Sequence, residues 1–79
     1  MNKKLESKLI KKIKEKLGWR PFIMYQIKKV NNKVIFSNPY SIGKPIIKSI
    51  VEVFQENRDL DNEYIFIMRT DNIIVFLQK

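Results

Sequence analysis

Apolar residues recur near the start of the chain at the spacing of a helix: Leu5, Leu9, Ile10, Ile13 and Leu17 fall within about 140° of arc at about 100° per residue. Asn2 is the expected N-cap, and Gly18 fits a left-handed C′ position with Trp19 folding back on Ile13. Pro21 reads as the stop. From 22 to 30 the residues are β-branched, aromatic or long, then Asn31-Asn32 offers a two-residue hairpin turn before a second strand at 33–36. Asn38-Pro39-Tyr40 is a turn, and Ser41 or Gly43 opens another helix with Pro45 tolerated in its first turn. Ile46, Ile47, Ile50, Val51, Val53 and Phe54 make almost half of that helix apolar, so it is the more buried of the two. Asn57 and the polar run 59–62 break it; strands at 64–69 and 73–77 follow, joined by Asp71-Asn72.

The pattern predicts an α+β fold of order αββαββ: a four-stranded antiparallel sheet with two helices packed on one face, in a single domain spanning 1–79. The order also reads as a tandem αββ repeat with units 1–38 and 39–79. A slide of 37 residues superposes Ile10 on Ile47, Lys11 on Lys48, Ile13 on Ile50 and Glu15 on Glu52; a slide of 40 superposes Ile27 on Ile67, Asn32 on Asn72 and Phe36 on Phe76.

The sheet has one unusual property. With the two turns as placed, Ile27 faces Phe36 and Ile67 faces Phe76, so one side carries Ile23, Tyr25, Ile27, Val34, Phe36, Ile65, Ile67, Ile74 and Phe76. The other carries Phe22, Met24, Ile35, Tyr64, Phe66, Met68, Ile73, Val75 and Leu77, with Gln26, Lys28 and Lys33. Both are apolar, and two helices cover only one. The second face is therefore expected to be an interface, most simply with another copy about a twofold.

Charge adds a partner class. Sixteen Lys and Arg against eight Asp and Glu give +8, distributed as +6 over residues 1–20, +5 over 21–48 and −3 over 49–79. A one-signed surface attracts polyanions within about 8 Å at physiological salt; the competing reading is a solvated surface. No Cys and no His remove thiolate chemistry, the commonest metal ligand and the commonest general base. The N-terminal segment has no apolar run long enough for a signal peptide, and no stretch approaches a membrane span. A cytoplasmic protein is the expectation.

Candidate chemistry is sparse. Asp59, Asp61 and Glu63 alternate as in a calcium loop, but Tyr64 stands where its glycine belongs, so they read as loop acids. Gly43-Lys44 before a helix has the outline of a phosphate cradle without its flanking residues. Glu52 and Glu56 lie one helical turn apart and read as solvated. No enzyme, metal or cofactor is expected. Lys4, Lys8, Lys11 and Lys12 on the first helix, Lys28, Lys29 and Lys33 on the first hairpin, and Arg20 and Lys44 nearby are expected to contact nucleic-acid phosphates, with little sequence preference because few groups are placed to read bases. Phe22, Tyr64 and Phe66 beside Lys28 would suit a stacking platform for single strands, but burial in a dimer accounts for them better. The first helix also admits a membrane-surface reading, but its stripe lacks aromatic anchors and core packing is preferred. The functional expectation is a small basic nucleic-acid-binding homodimer; the alternative is a protein-interaction module without nucleic acid.

Overall fold

A computed structural model describes residues 3–79, so the N-cap expected at Asn2 lies outside the described residues. Helix α1 (Lys3–Leu17) buries Leu9 and Ile13 on the predicted stripe and ends where the Gly18 N–H donates to the Lys14 carbonyl at 2.9 Å. Gly18 sits at φ 89°, ψ 155°. That is the glycine-only extended region rather than the left-handed cap conformation, and it turns the chain straight into a second helix, α2 (Trp19–Ile23). Pro21 therefore falls in the first turn of α2, where its missing donor costs nothing, and Trp19 is 62% exposed instead of folding back on Ile13.

The remaining elements are β1 (Gln26–Val30), β2 (Lys33–Ser37), α3 (Lys44–Glu56), α4 (Arg58–Glu63), β3 (Tyr64–Thr70) and β4 (Ile73–Gln78). The strands form one antiparallel sheet of order β1-β2-β4-β3. The polar run after α3 is helical, not a loop: Asn57 closes α3 by donating its N–H and its side-chain amide to the Val53 carbonyl at 3.0 and 2.9 Å. Its own carbonyl then accepts from Leu60 and Asp61 at 3.1 Å, and fully buried Leu60 anchors the new turn. Each half of the chain thus reads long helix, short helix, hairpin.

Leu9, Ile13, Ile50, Val53, Phe54 and Leu60 from the helices meet Tyr25, Val34, Phe36, Tyr64, Ile74 and Phe76 from the sheet and its lead-in. Aromatic edges organise this layer, with Phe36 to Phe76 at 5.3 Å and Phe76 to Phe54 at 6.0 Å between ring centroids.

The first hairpin has the expected register, Ile27 opposite Phe36, with Asn31 in the left-handed region at φ 51°. The second does not. Met68 faces Ile74 and Thr70 faces Ile73, leaving Arg69 as an extra residue in a bulge, so Phe66 rather than Ile67 lies opposite Phe76. The cause lies in the turn: neither Asp71 nor Asn72 takes a positive φ, which excludes the primed turns that match strand twist, and a bulge beside the turn supplies twist instead. A one-residue shift exchanges the two faces of a strand. Tyr64, Phe66 and Met68, expected on the uncovered face, therefore lie on the helix-covered one, and Ile65 and Ile67 lie on the uncovered one. Phe22 is corrected too, since it belongs to α2 and packs on Phe36 at 6.2 Å; Met24 caps α2 outside any strand. Ile35, Ile73, Val75 and Leu77 do lie on the uncovered face.

The central pair β2–β4 carries an internal symmetry. Val34 faces Phe76, Phe36 faces Ile74 and Ile35 faces Val75, so the 40-residue slide maps this ladder onto itself about the Ile35–Val75 pair. The bulge breaks the match of Ile27 with Ile67 in the outer strands and aligns the buried Tyr25 with the buried Tyr64 instead.

Candidate functional site

The nine cations expected to act together are divided between the two layers. On the open sheet face the ladder gives three rows: Gln26, Ser37, Ile73, Thr70; Lys28, Ile35, Val75, Ile67; and Val30, Lys33, Leu77, Ile65. No carboxylate lies in these rows. At their apolar centre Val75 is buried to 9% exposure and Ile35, Ile73 and Leu77 are half-buried, while toward the β3 edge Ile65 and Ile67 are 46% and 41% exposed. A shallow depression of about 380 Å³ there is lined by Lys33, Ile35, Arg69, Thr70, Ile73 and Val75. Sequence reasoning missed Arg69, because only the bulge turns both it and Thr70 to this side. The stacking platform is corrected: Phe22, Tyr64 and Phe66 are on the other side of the sheet from Lys28, and none of the strand positions of the open face is aromatic.

Lys4, Lys8, Lys11 and Lys12 belong to the helix layer, and α1 sorts its lysines by angle. Lys8 and Lys12, with Lys16 continuing their row, turn toward acids. Lys8 Nζ donates to Asp59 Oδ2 at 2.6 Å, Lys12 lies 3.7 Å from Glu15, and Lys16 donates to both Glu56 carboxylate oxygens at 2.9 and 2.7 Å while 3.5 Å from Glu52. The Lys8 hydrogen bond holds the Asp59 carboxyl below its ordinary range, and the Glu56 hydrogen bond raises the Lys16 ammonium above its own. Glu52 and Glu56 thus serve as an interhelical clamp on one lysine, and Asp59 is a helix residue tied to α1. Among the described residues no group of three or more His, Cys, Asp or Glu is placed to hold a metal ion. No helix among them is long and apolar enough to cross a membrane.

Lys29 also turns inward: on the covered side of edge strand β1, its Nζ lies 3.6 Å from Glu6, a carboxylate buried to 6% exposure on α1. What remains outward on α1 is a ridge of exposed residues, Lys3, Lys4, Ser7, Lys11, Lys14 and Glu15, within about 120° of arc and about 16 Å long from Lys3 to Lys14. Lys14 lies 5.8 Å over the Phe22 ring, which ties the ridge to α2. Lys3 and Lys14 escaped the sequence reading, although their angle opposite the Leu9–Ile13 stripe was available to it. Arg20 on α2 and Lys44 at the start of α3 are exposed on their own elements. Comparison with protein-family models, curated proteins and solved structures finds no match to this chain.

Proposed function

We propose that the protein binds nucleic-acid backbone through the α1 ridge, contacting phosphates with little sequence preference. One observation carries this reading: α1 directs Lys8 and Lys16 to carboxylates of α4 and α3 and holds Lys3, Lys11 and Lys14 on an exposed ridge, with Lys4 exposed beside them and Glu15 its one acid. Helix stability does not account for that arrangement. Lys3 and Lys4 occupy the first turn, where cations oppose the helix dipole at a cost of roughly 0.3–1 kcal/mol each. A phosphate backbone along the ridge reverses the sign of that interaction.

Four phosphate contacts give a slope of log K against log salt near −3 to −4 and a dissociation constant of about 1–100 µM. The test is titration of labelled duplex and single strands at about 50 and 200 mM salt. K3Q/K11Q is expected to reduce the slope by about two, and K28Q/K33Q on the opposite layer to leave it unchanged. Absence of binding at the lower salt rejects the reading, and equal losses from both double variants reject the ridge as its site. The second reading, a protein-interaction module, is favoured by the uncovered aliphatic sheet face. Closing that face on a second copy would gather Lys28, Lys33 and Arg69 from each subunit with no carboxylate among the strand positions, an arrangement electrostatics opposes.

A further inference from the structure

The two edges of the sheet differ. β1 is five residues long with Lys28 and Lys29 in its middle, the charged pattern that blunts an edge, whereas β3 reads YIFIMRT and carries no charge before Arg69. Lys79 donates its N–H to the Glu63 carbonyl at 2.8 Å, and Tyr64 faces Gln78, so the ladder to β4 uses positions 63, 65 and 67. The Phe66 and Met68 amides and the carbonyls of Tyr64, Phe66 and Met68 therefore point out of the sheet, while the Tyr64 N–H is taken by the Leu60 carbonyl. Apolar surface gathers at this edge: Ile65 and Ile67 on the open side, and Val51 and Met68, each 38% exposed, on the helix side. Beside it, between α3 and β3, runs a groove of about 370 Å³ lined in part by Val51, Phe54, Tyr64 and Phe66.

We infer that β3 pairs antiparallel with β3 of a second copy about a twofold at Phe66, extending the sheet to eight strands. This is independent of phosphate binding by α1. The occupant is specified by what the register brings together. Centring the pair on Phe66 matches every outward backbone group from 64 to 68 except the Met68 carbonyl, whose partner donor is the occupied Tyr64 N–H. Met68 of the partner subunit falls opposite Tyr64 on the helix side, where its flexible side chain enters the groove. Glu63, the last residue of α4, accepts from Gln78 Nε2 through Oε1 at 2.7 Å, and the same register brings its other carboxylate oxygen toward Arg69 of the partner subunit, giving two symmetric ion pairs just where the bulge ends regular pairing. A foreign peptide would have to reproduce all three features; a second copy does so by symmetry.

The experiment is sedimentation velocity across a concentration series, with far-UV circular dichroism to establish that each variant is folded. The wild type is expected to dimerise. R69E places like charges opposite each other and should weaken association by about tenfold or more, and R69E/E63R should restore it. M68P removes one outward donor per subunit at a position where an edge strand tolerates proline, and should give a folded, mostly monomeric protein. I35K, on the open face, should leave the dimer intact. A wild type that stays monomeric at the highest concentration overturns the inference. So does a dimer that ignores R69E and M68P but is broken by I35K, or a swap variant that fails to recover although folded.

Discussion

The face assignment of β3 decides which residues are core and which are surface, and two adjacent residues test it. Phe66 lies on the helix-covered side with its ring 6.2 Å from Phe54 and 6.3 Å from Phe76, while Ile67 lies on the open side and is 41% exposed. Truncating a buried Phe to Ala costs about 3–5 kcal/mol; Phe66 is only partly buried, which sets its cost at about 3 kcal/mol including two ring contacts. Ile67 loses transfer energy over little more than half a side chain and leaves no enclosed cavity, so Ile67→Ala costs about 1 kcal/mol. The gap of about 2 kcal/mol corresponds to roughly 10 °C in Tm for a domain of this size, or about 1–2 M in urea midpoint. Urea unfolding of both variants beside the wild type, at a concentration low enough to keep them monomeric, reads it directly. If Ile67→Ala costs as much as Phe66→Ala, then Ile67 faces Phe76, the bulge at Arg69 is absent, and the open face and β3 edge described above are wrong. The same logic predicts that Phe66→Asp unfolds the chain rather than splitting an assembly.

Three further outcomes follow from single contacts. Asn72 donates its side-chain amide to the carbonyls of Asn38 and Tyr40 at 2.9 and 3.0 Å, clamping the β2–α3 connection to the second hairpin; Asn72→Ala should lower stability by about 1–3 kcal/mol in a urea titration, and no loss would deny the clamp. Gly18→Ala meets no close atom but must hold φ at 89°, so it should cost about 1–3 kcal/mol, and an unchanged Tm would show that the α1–α2 corner relaxes freely. Burial raises the Tyr25 and Tyr64 hydroxyl pKa values and the Glu56 hydrogen bond raises that of Lys16. A folded pKa above the unfolded one stabilises below the unfolded value and is lost as pH climbs through the folded one, so stability should fall above about pH 10. Asp59, whose pKa is lowered chiefly by the Lys8 hydrogen bond, acts in the opposite sense and loses its contribution as pH drops below about 4. With no His to titrate between these limits, urea midpoints at about pH 5 and 9 should agree, and a clear difference would contradict the assignment.

Sequence alone determined the elements whose periodicity is long and regular. The Leu9–Ile13 stripe of α1, the Ile50–Phe54 face of α3, the Asn31 turn and the four-stranded antiparallel sheet were all legible, because burying one stripe per helix and one face per strand leaves few other solutions. It also showed that the sheet has more apolar surface than two helices hide. Two short helices were invisible: five or six residues are too few for a period, and proline and acids read as breaks there. The face of β3 was undetermined for a stronger reason. Tyr64, Phe66 and Met68 are as apolar as Ile65 and Ile67, so hydrophobicity cannot choose between registers one residue apart. The choice fell to the backbone of the Asp71-Asn72 turn and to Phe54, whose ring takes Phe66 as its neighbour. The partition of the lysines was likewise tertiary. Asp59, Glu52 and Glu56 reach α1 only once α3 and α4 pack beside it, and that packing is what ties Lys8 and Lys16 to acids, whereas Lys12 pairs with Glu15 of its own helix.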